Sequence, residues 1–405
     1  MIWLAALGVF GVLVCTPALS APSRRVAVFV AKVYPSADAA AIDDAVILIK
    51  GDRIEKVGPR KAMRVPPGYQ LIEQTGGVAT AGFWNSHVHL LTPALLKGSA
   101  AGDSELQQEL EGDFTRGGFT TVFDLASTMG FANAVRQRIE KGAVVGPRVL
   151  TVGAPFYPKG NTPIYARPFY RALNLPSAEV TSDASAASRV QRQAEEGADG
   201  VKLFTGSIIG EHEVAYMPAA TIATISRAAR RVRQPVFAHP TDRTGLELAV
   251  GNGANILAHS APLMGEWSAR YARWIVSKRV AMIPTLSLFE VQPHPSTPVS
   301  VAVQQTRALH RAGGTILFGT DAGFTDAFDT SAELRLLGQA IGWRGVFASL
   351  TTGPAKVFGE ARLRGRIAPG YVADIVVVDG DPAVEVENLA KVRLVMRSGR
   401  SIFTR

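Results

Sequence analysis

The stretch EEGADGVKLFTG, residues 195–206, carries a charged helical end, a glycine and then a short apolar run. Glycine just past a helix is the usual left-handed cap, and the apolar run after it reads as a parallel strand buried on both faces. The same unit returns in RGGFTTVFDLA at 116–126, GNGANILAHS at 251–260 and RAGGTILFGTD at 311–321. Counting such runs gives eight, beginning near Trp84, Thr120, Arg148, Gly200, Val236, Asn255, Val280 and Thr315. Eight parallel strands alternating with helices predict an α/β fold of the (β/α)8 TIM-barrel type.

Catalytic groups of such a barrel lie at the C-terminal ends of its strands. The first strand ends in AGFWNSHVHL, residues 81–90, where His87 and His89 stand two apart. Residues i and i+2 of a strand share a face, so both imidazoles project into one space. The fourth, fifth, sixth and eighth strands end at Lys202, His239, His259 and Asp321. Four of the seven histidines thus fall on strand ends, with His212, His294 and His310 in loops or helices. Neutral imidazole and carboxylate are suitable ligands for Zn²⁺ and similar ions.

The ends of the chain differ in texture. Residues 24–82 read as β, with AVILIK and RIEKVG joined by a Gly51-Asp52 hairpin signal, and the pattern returns in ADIVVVDGDP and in VRLVMRSGRSIF with its Ser398-Gly399 turn. The expected organisation is a signal peptide at 1–20, a barrel at 83–360, and a small β-sandwich built from 21–82 and 361–405. Residues 1–20 carry no charged side chain and end at Ala18-Leu19-Ser20, which predicts a secretory leader cleaved after Ser20. Export to the periplasm or medium follows, with no stable membrane association once the leader is removed. Cys15, the single cysteine, would leave with it.

Lys and Arg number 43 against 34 Asp and Glu, for a net +9. No basic run is interleaved with aromatics, so a nucleic-acid groove is excluded as a reading and the partner is a small molecule. Assembly into a homo-oligomer stays open. The composition, 47% apolar and 19% charged, is that of a globular protein of enzyme size.

Taken together, HVH, Lys202 in VKLFTG, His239 in VFAHP, His259 in ILAHS and Asp321 in GTDAG resemble the amidohydrolase superfamily, in its imidazolonepropionase and prolidase-like branch. TTGPAKVFG and GRIAPGYVADIVVVDGDP resemble that family's return from barrel to sandwich. The resemblance implies two divalent ions, zinc first, with His87, His89 and Asp321 on one and His239 and His259 on the other. Lys202, carboxylated by carbon dioxide, would bridge them; an unmodified ammonium beside two cations would be repelled. It further implies that a shared hydroxide attacks the substrate carbonyl and that Asp321 carries the water's proton to the leaving group.

Related deaminases often carry a glutamate three residues after the histidine matching His239 and lack the bridging lysine; here Asp242 stands at that place. Hydrolysis of an amide or peptide C–N bond therefore outranks deamination, and an intact ligand set ranks above a barrel that has lost catalysis. After the third strand runs the long loop APFYPKGNTPIYARPFYRALNLP, residues 154–176, with Lys159, Arg167 and Arg171. It reads as a lid whose aromatics shield the metals while Arg167 or Arg171 grips a carboxylate. A dipeptide ending in proline or an N-acyl amino acid would suit it, with cyclic amides and lactones as alternatives.

Overall fold

The computed structural model describes residues 24–292, 297–325 and 328–405; the expected leader at 1–20 and His294 lie outside the described residues. Strands β1 (Arg25–Val33), β2 (Ile42–Lys50), β3 (Arg53–Pro59) and β4 (Gln70–Ala81) open the chain. The parallel strands follow: β5 (Phe83–Val88), β6 (Phe119–Asp124), β7 (Arg148–Thr151) and β8 (Val201–Phe204). A hairpin of β9 (Gly206–Gly210) and β10 (Glu213–Tyr216) precedes β11 (Val236–His239), β12 (Ile256–Ala258) and β13 (Ala281–Ile283). The chain closes on β14 (Ile375–Asp379), β15 (Val392–Arg397) and β16 (Arg400–Thr404).

The two ends meet in one seven-stranded sheet of order β16-β15-β14-β4-β1-β2-β3, where the sequence suggested a sandwich of two. Alternation along β1 sends Val26, Val28 and Val30 to a face shared with Ile47, Ile49, Ile375 and Val377. Ala27 and Phe29 go to the other face, with Val46 and Leu48, under Met63, Val65 and Tyr69. A sheet this wide twists and curls, and here the curl lets the first face cover itself. Arg53 at the β3 edge bridges back to Val372, and Ala373 N donates to Asp52 O at 2.8 Å. The β15–β16 hairpin turns on Ser398 and Gly399, both at positive φ (50° and 72°), as a two-residue turn requires.

Of the parallel strands, β5-β6-β7 form one arc and β13-β12-β11-β8 another. Single bridges join the arcs, Phe156 to Leu203 on one side, Met282 to Ile316 and Val88 to Ala322 on the other. The architecture is therefore TIM-barrel-like, without one continuous closed sheet. The eighth strand expected from Thr315 is reduced to those bridges and a few hydrogen bonds: Leu317 N donates to Met282 O and Ser86 N of β5 to Phe318 O, while Phe318 N donates to Ser349 O.

Helices alternate with these strands because each has one apolar stripe. In Ala219–Arg231, Ile222, Ile225 and Ala229 are buried at helical spacing while Arg227 and Arg231 face out. Inside the ring, Phe123, Phe237, Ile256, Ile283 and Leu317 fill the space below the strand ends, over Phe358. That filled floor leaves only the rim for chemistry. The outer sheet is fixed to the ring where Val78, Val376 and Val395 pack with Phe83 and Phe119. Among the described residues no helix is long and apolar enough to cross a membrane.

Candidate metal centre

His87 lies on β5 and His89 just beyond it, and the two rings stand 5.2 Å apart on the same face. Their Nε2 atoms converge on one oxygen of Asp321, Oδ1, at 2.9 Å from His87 and 2.8 Å from His89. Asp321 is held there by tight backbone contacts. A side chain at Gly319 would put its Cβ 2.8 Å from His87 Cβ, and one at Gly323, with φ +93°, would reach 2.0 Å from His89 O. Asn85 ties the two segments together, donating from Nδ2 to Thr320 Oγ1 at 2.9 Å.

His259 reaches the site by a different route. Alternation on β12 points Ile256 and Ala258 into the ring, so the next residue should face outward. Instead, His259 adopts φ 111°, a backbone state that side chains other than glycine's rarely hold. Its ring then lies 4.7 Å from those of both His87 and His239. Thr285 fixes its tautomer: Thr285 Oγ1 donates to Pro284 O at 2.8 Å, so it accepts from His259 Nδ1 at 2.7 Å. The lone pair on Nε2 is thereby left for the site. His239, at the end of β11, stacks on Phe204 at 4.5 Å between centroids. Lys202, on β8, is buried beside the same ring, with Nζ 5.5 Å from its centre.

The electrostatics suit metal ligation. Burial pushes His87 down to about 3 despite the pull of Asp321, and desolvation drives His239 and His259 well below the usual histidine range. For Asp321 burial works upward, but His87, His259 and His89 outweigh it and hold the carboxyl well below the carboxylate range. Burial brings Lys202 down to about 7, with Asp321 opposing. At neutral pH His87, His239 and His259 are thus held neutral beside an ionised Asp321. His87 Nδ1 and His89 Nδ1 are buried without a hydrogen bond, and the ligand atoms of His87, His259 and Asp321 lie within 4.8 Å of one another. Orphaned ring nitrogens around an ionised carboxylate fit a divalent cation.

The centre opens into a cavity of about 850 Å³ that all six residues line. Its walls come from the long third loop, through Ile164, Tyr165, Phe169 and Tyr170, and from the β9–β10 hairpin, through Ile208 and Val214. Arg167 and Arg171 are not brought to it. The loop coils into a helix, Arg167–Ala172, that presents Ala166, Phe169 and Tyr170 to the cavity at i, i+3, i+4 spacing, which puts the arginines on other faces. Arg167 Nε donates instead to Thr162 O at 2.9 Å. Asp242 also has other work: it caps the helix Arg243–Gly251, accepting from Gly245 N at 2.9 Å, and takes the Tyr216 hydroxyl.

Three participants were not legible in the sequence. Thr285 acts through a turn with φ 46°, which no motif announces. The β9–β10 hairpin pairs only a few residues and carries no strong turn dipeptide. Tyr165 was one aromatic among several in the loop, yet its hydroxyl is buried in the cavity wall without a partner.

The family model of amidohydrolases matches residues 78–402. The chain belongs to the amidohydrolase family. With membership comes the reaction class, hydrolysis of carbon–nitrogen bonds. This amidohydrolase is similar to an ochratoxinase of Aspergillus niger, at 22% identity over 91% of this chain and 84% of that one. Its fold is also that of the crystal structure of A. niger ochratoxinase (TM-score 0.78, 19% identity, 95% and 97% of the two chains). The same holds for a Xaa-Pro dipeptidase with bound methionine in the active site (TM-score 0.78, 19% identity, 93% and 99%).

Proposed function

We propose that this chain is an exported, metal-dependent amidohydrolase that cleaves an amide-type C–N bond. The observation that carries the reading is the convergence of His87, His89 and Asp321 within 2.9 Å, beside His259, His239 and Lys202, at the mouth of an 850 Å³ cavity. His87, His89 and Asp321 would hold one divalent ion and His239 and His259 a second, with Lys202 as carbamate between them. The ions, zinc in our reading, would supply Lewis acidity for the carbonyl and an acidified water.

The residues of the chain do the rest. Asp321 would accept the water's proton on its carboxylate and return it to the leaving nitrogen. Thr285 keeps the His259 ring in the ligating tautomer. Burial favours the uncharged Lys202 amine, the form that adds carbon dioxide. The cavity walls keep bulk water from the reacting carbonyl. An ochratoxinase and a Xaa-Pro dipeptidase among the similar proteins agree with C–N hydrolysis. The export reading rests on the uncharged apolar residues 1–20. Amine release from a panel of amides, with and without chelator, tests the reaction. Zinc-restored hydrolysis supports it, and amidase activity unaffected by exhaustive chelation contradicts it.

A further inference from the structure

The cavity has a chemistry of its own beyond the six residues at its floor. Its walls are built from Phe169, Phe204, Phe289 and Phe324, the tyrosines 157, 165 and 170, and aliphatic groups such as Leu91, Leu125 and Leu288. Among the described residues lining it, the only lysine or arginine is Lys202, which belongs to the metal centre. The nearby cations are committed to the loop itself. Arg167 donates to Thr162 O, and Arg189 donates to Ala178 O and Pro155 O with its guanidinium 3.6 Å from the centre of the Phe156 ring. At the mouth stand Glu211 and Glu213, of the wrong sign to attract an acid.

Away from the metal centre, a carboxylate carried against these walls would be desolvated with no lysine or arginine to pair with it, a cost that the apolar contacts there do not return. An aromatic ring meets a wall of aromatic edges and faces, in which Tyr157 packs edge-on against Phe204 at 4.8 Å and Tyr165 against Phe324 at 5.4 Å. That wall also offers a buried neutral donor. The Tyr165 hydroxyl is buried without a partner, and its ionisation is disfavoured first by that burial and then by Asp321. A buried, protonated, unpartnered phenol is placed to donate to an uncharged carbonyl.

We infer that the cavity selects an uncharged substrate, an amide, carbamate or urea bearing an aromatic or bulky apolar group, and discriminates against the same molecule with a free carboxylate. This rests on the C–N hydrolase reading for the bond that is cut, but not for what the cavity binds. The two are separated by measuring binding without turnover. A pair of aryl ketones, shaped like an aromatic amide but lacking a C–N bond, would be titrated into the metal-loaded enzyme, one as the methyl ester and one as the free acid.

The ester should bind at least 10-fold more tightly. Leu263→Arg, which places a cation at the partly exposed cavity mouth, should narrow or reverse that ratio. Equal binding, or tighter binding of the acid by the unaltered enzyme, overturns the inference while leaving C–N hydrolysis untouched. Ester preference in an enzyme that hydrolyses no amide supports the inference and removes the hydrolase reading instead.

Discussion

At the scale of single residues, the site depends on two side chains with separable duties. Asp321 both touches two ligand histidines and is placed to move a proton. Asparagine keeps one carbonyl-type oxygen but cannot act as a carboxylate base. Asp321→Asn should therefore retain most of its metal, measured per chain, while kcat falls by roughly 10²–10⁴. Near-normal turnover with metal in place would leave Asp321 structural. Thr285 acts on His259 alone. Thr285→Val frees the ring to turn, and metal affinity measured by competition with a chelator should drop by about 10–100-fold. An unchanged affinity would mean that the strained backbone at His259 suffices to aim it. His87 and His89 were legible from sequence because a two-residue period needs no tertiary knowledge. His259 appeared at a strand end, but its direction is set by φ 111°, which sequence does not encode locally.

At the scale of elements, the helix Ser331–Leu350 buries a carboxylate that supports the turn behind the site. Glu333 is fully buried and accepts from Ser287 N at 2.6 Å, at the start of the helix Leu286–Val291 that follows Thr285. Its other oxygen, Oε1, has no partner, and burial raises its pKa to about 7. The unfolded chain gives up this proton around the ordinary glutamate value of 4.5, while the folded one keeps it until about 7. The native state thus binds more protons across that interval, so this group's contribution makes stability fall as pH rises from about 4.5 to 7. Glu333→Gln should remove that slope and raise stability above neutral pH by about 1–3 kcal/mol. Parallel denaturation curves for both proteins at all pH values would contradict it. Elements also show where reading by pattern ended. The helix–glycine–strand unit located β6, β8 and β12, since each is buried on both faces and follows a glycine, but it also announced a strand from Thr315 that is reduced to bridges. The placement of Arg167 and Arg171 was not legible, because a cation in a loop looks the same whether it faces a cavity or its own backbone. Only the coiling of Arg167–Ala172 decides it.

At the scale of the whole molecule, the two ends of the chain join in one sheet that braces the ring. The antiparallel hairpins were readable from alternation and turns. The parallel pairing of β1 with β4 and the antiparallel pairing of β4 with β14 link segments far apart in sequence, and nothing local specifies them. Export belongs to this scale too. If residues 1–20 are a cleaved leader, N-terminal sequencing of protein from its native source should begin at Ala21, and an intact Met1 in a membrane fraction would indicate an anchor.

In the proposed enzyme six rim residues, His87, His89, Lys202, His239, His259 and Asp321, are metal ligands and not a packed polar cluster. Elemental analysis of the purified chain tests it directly, with Lys202→Ala measured alongside. The unaltered protein should carry close to two divalent ions per chain, and the variant should lose metal and hydrolytic activity together. A protein without stoichiometric metal, or a variant with full occupancy and normal turnover, would contradict it.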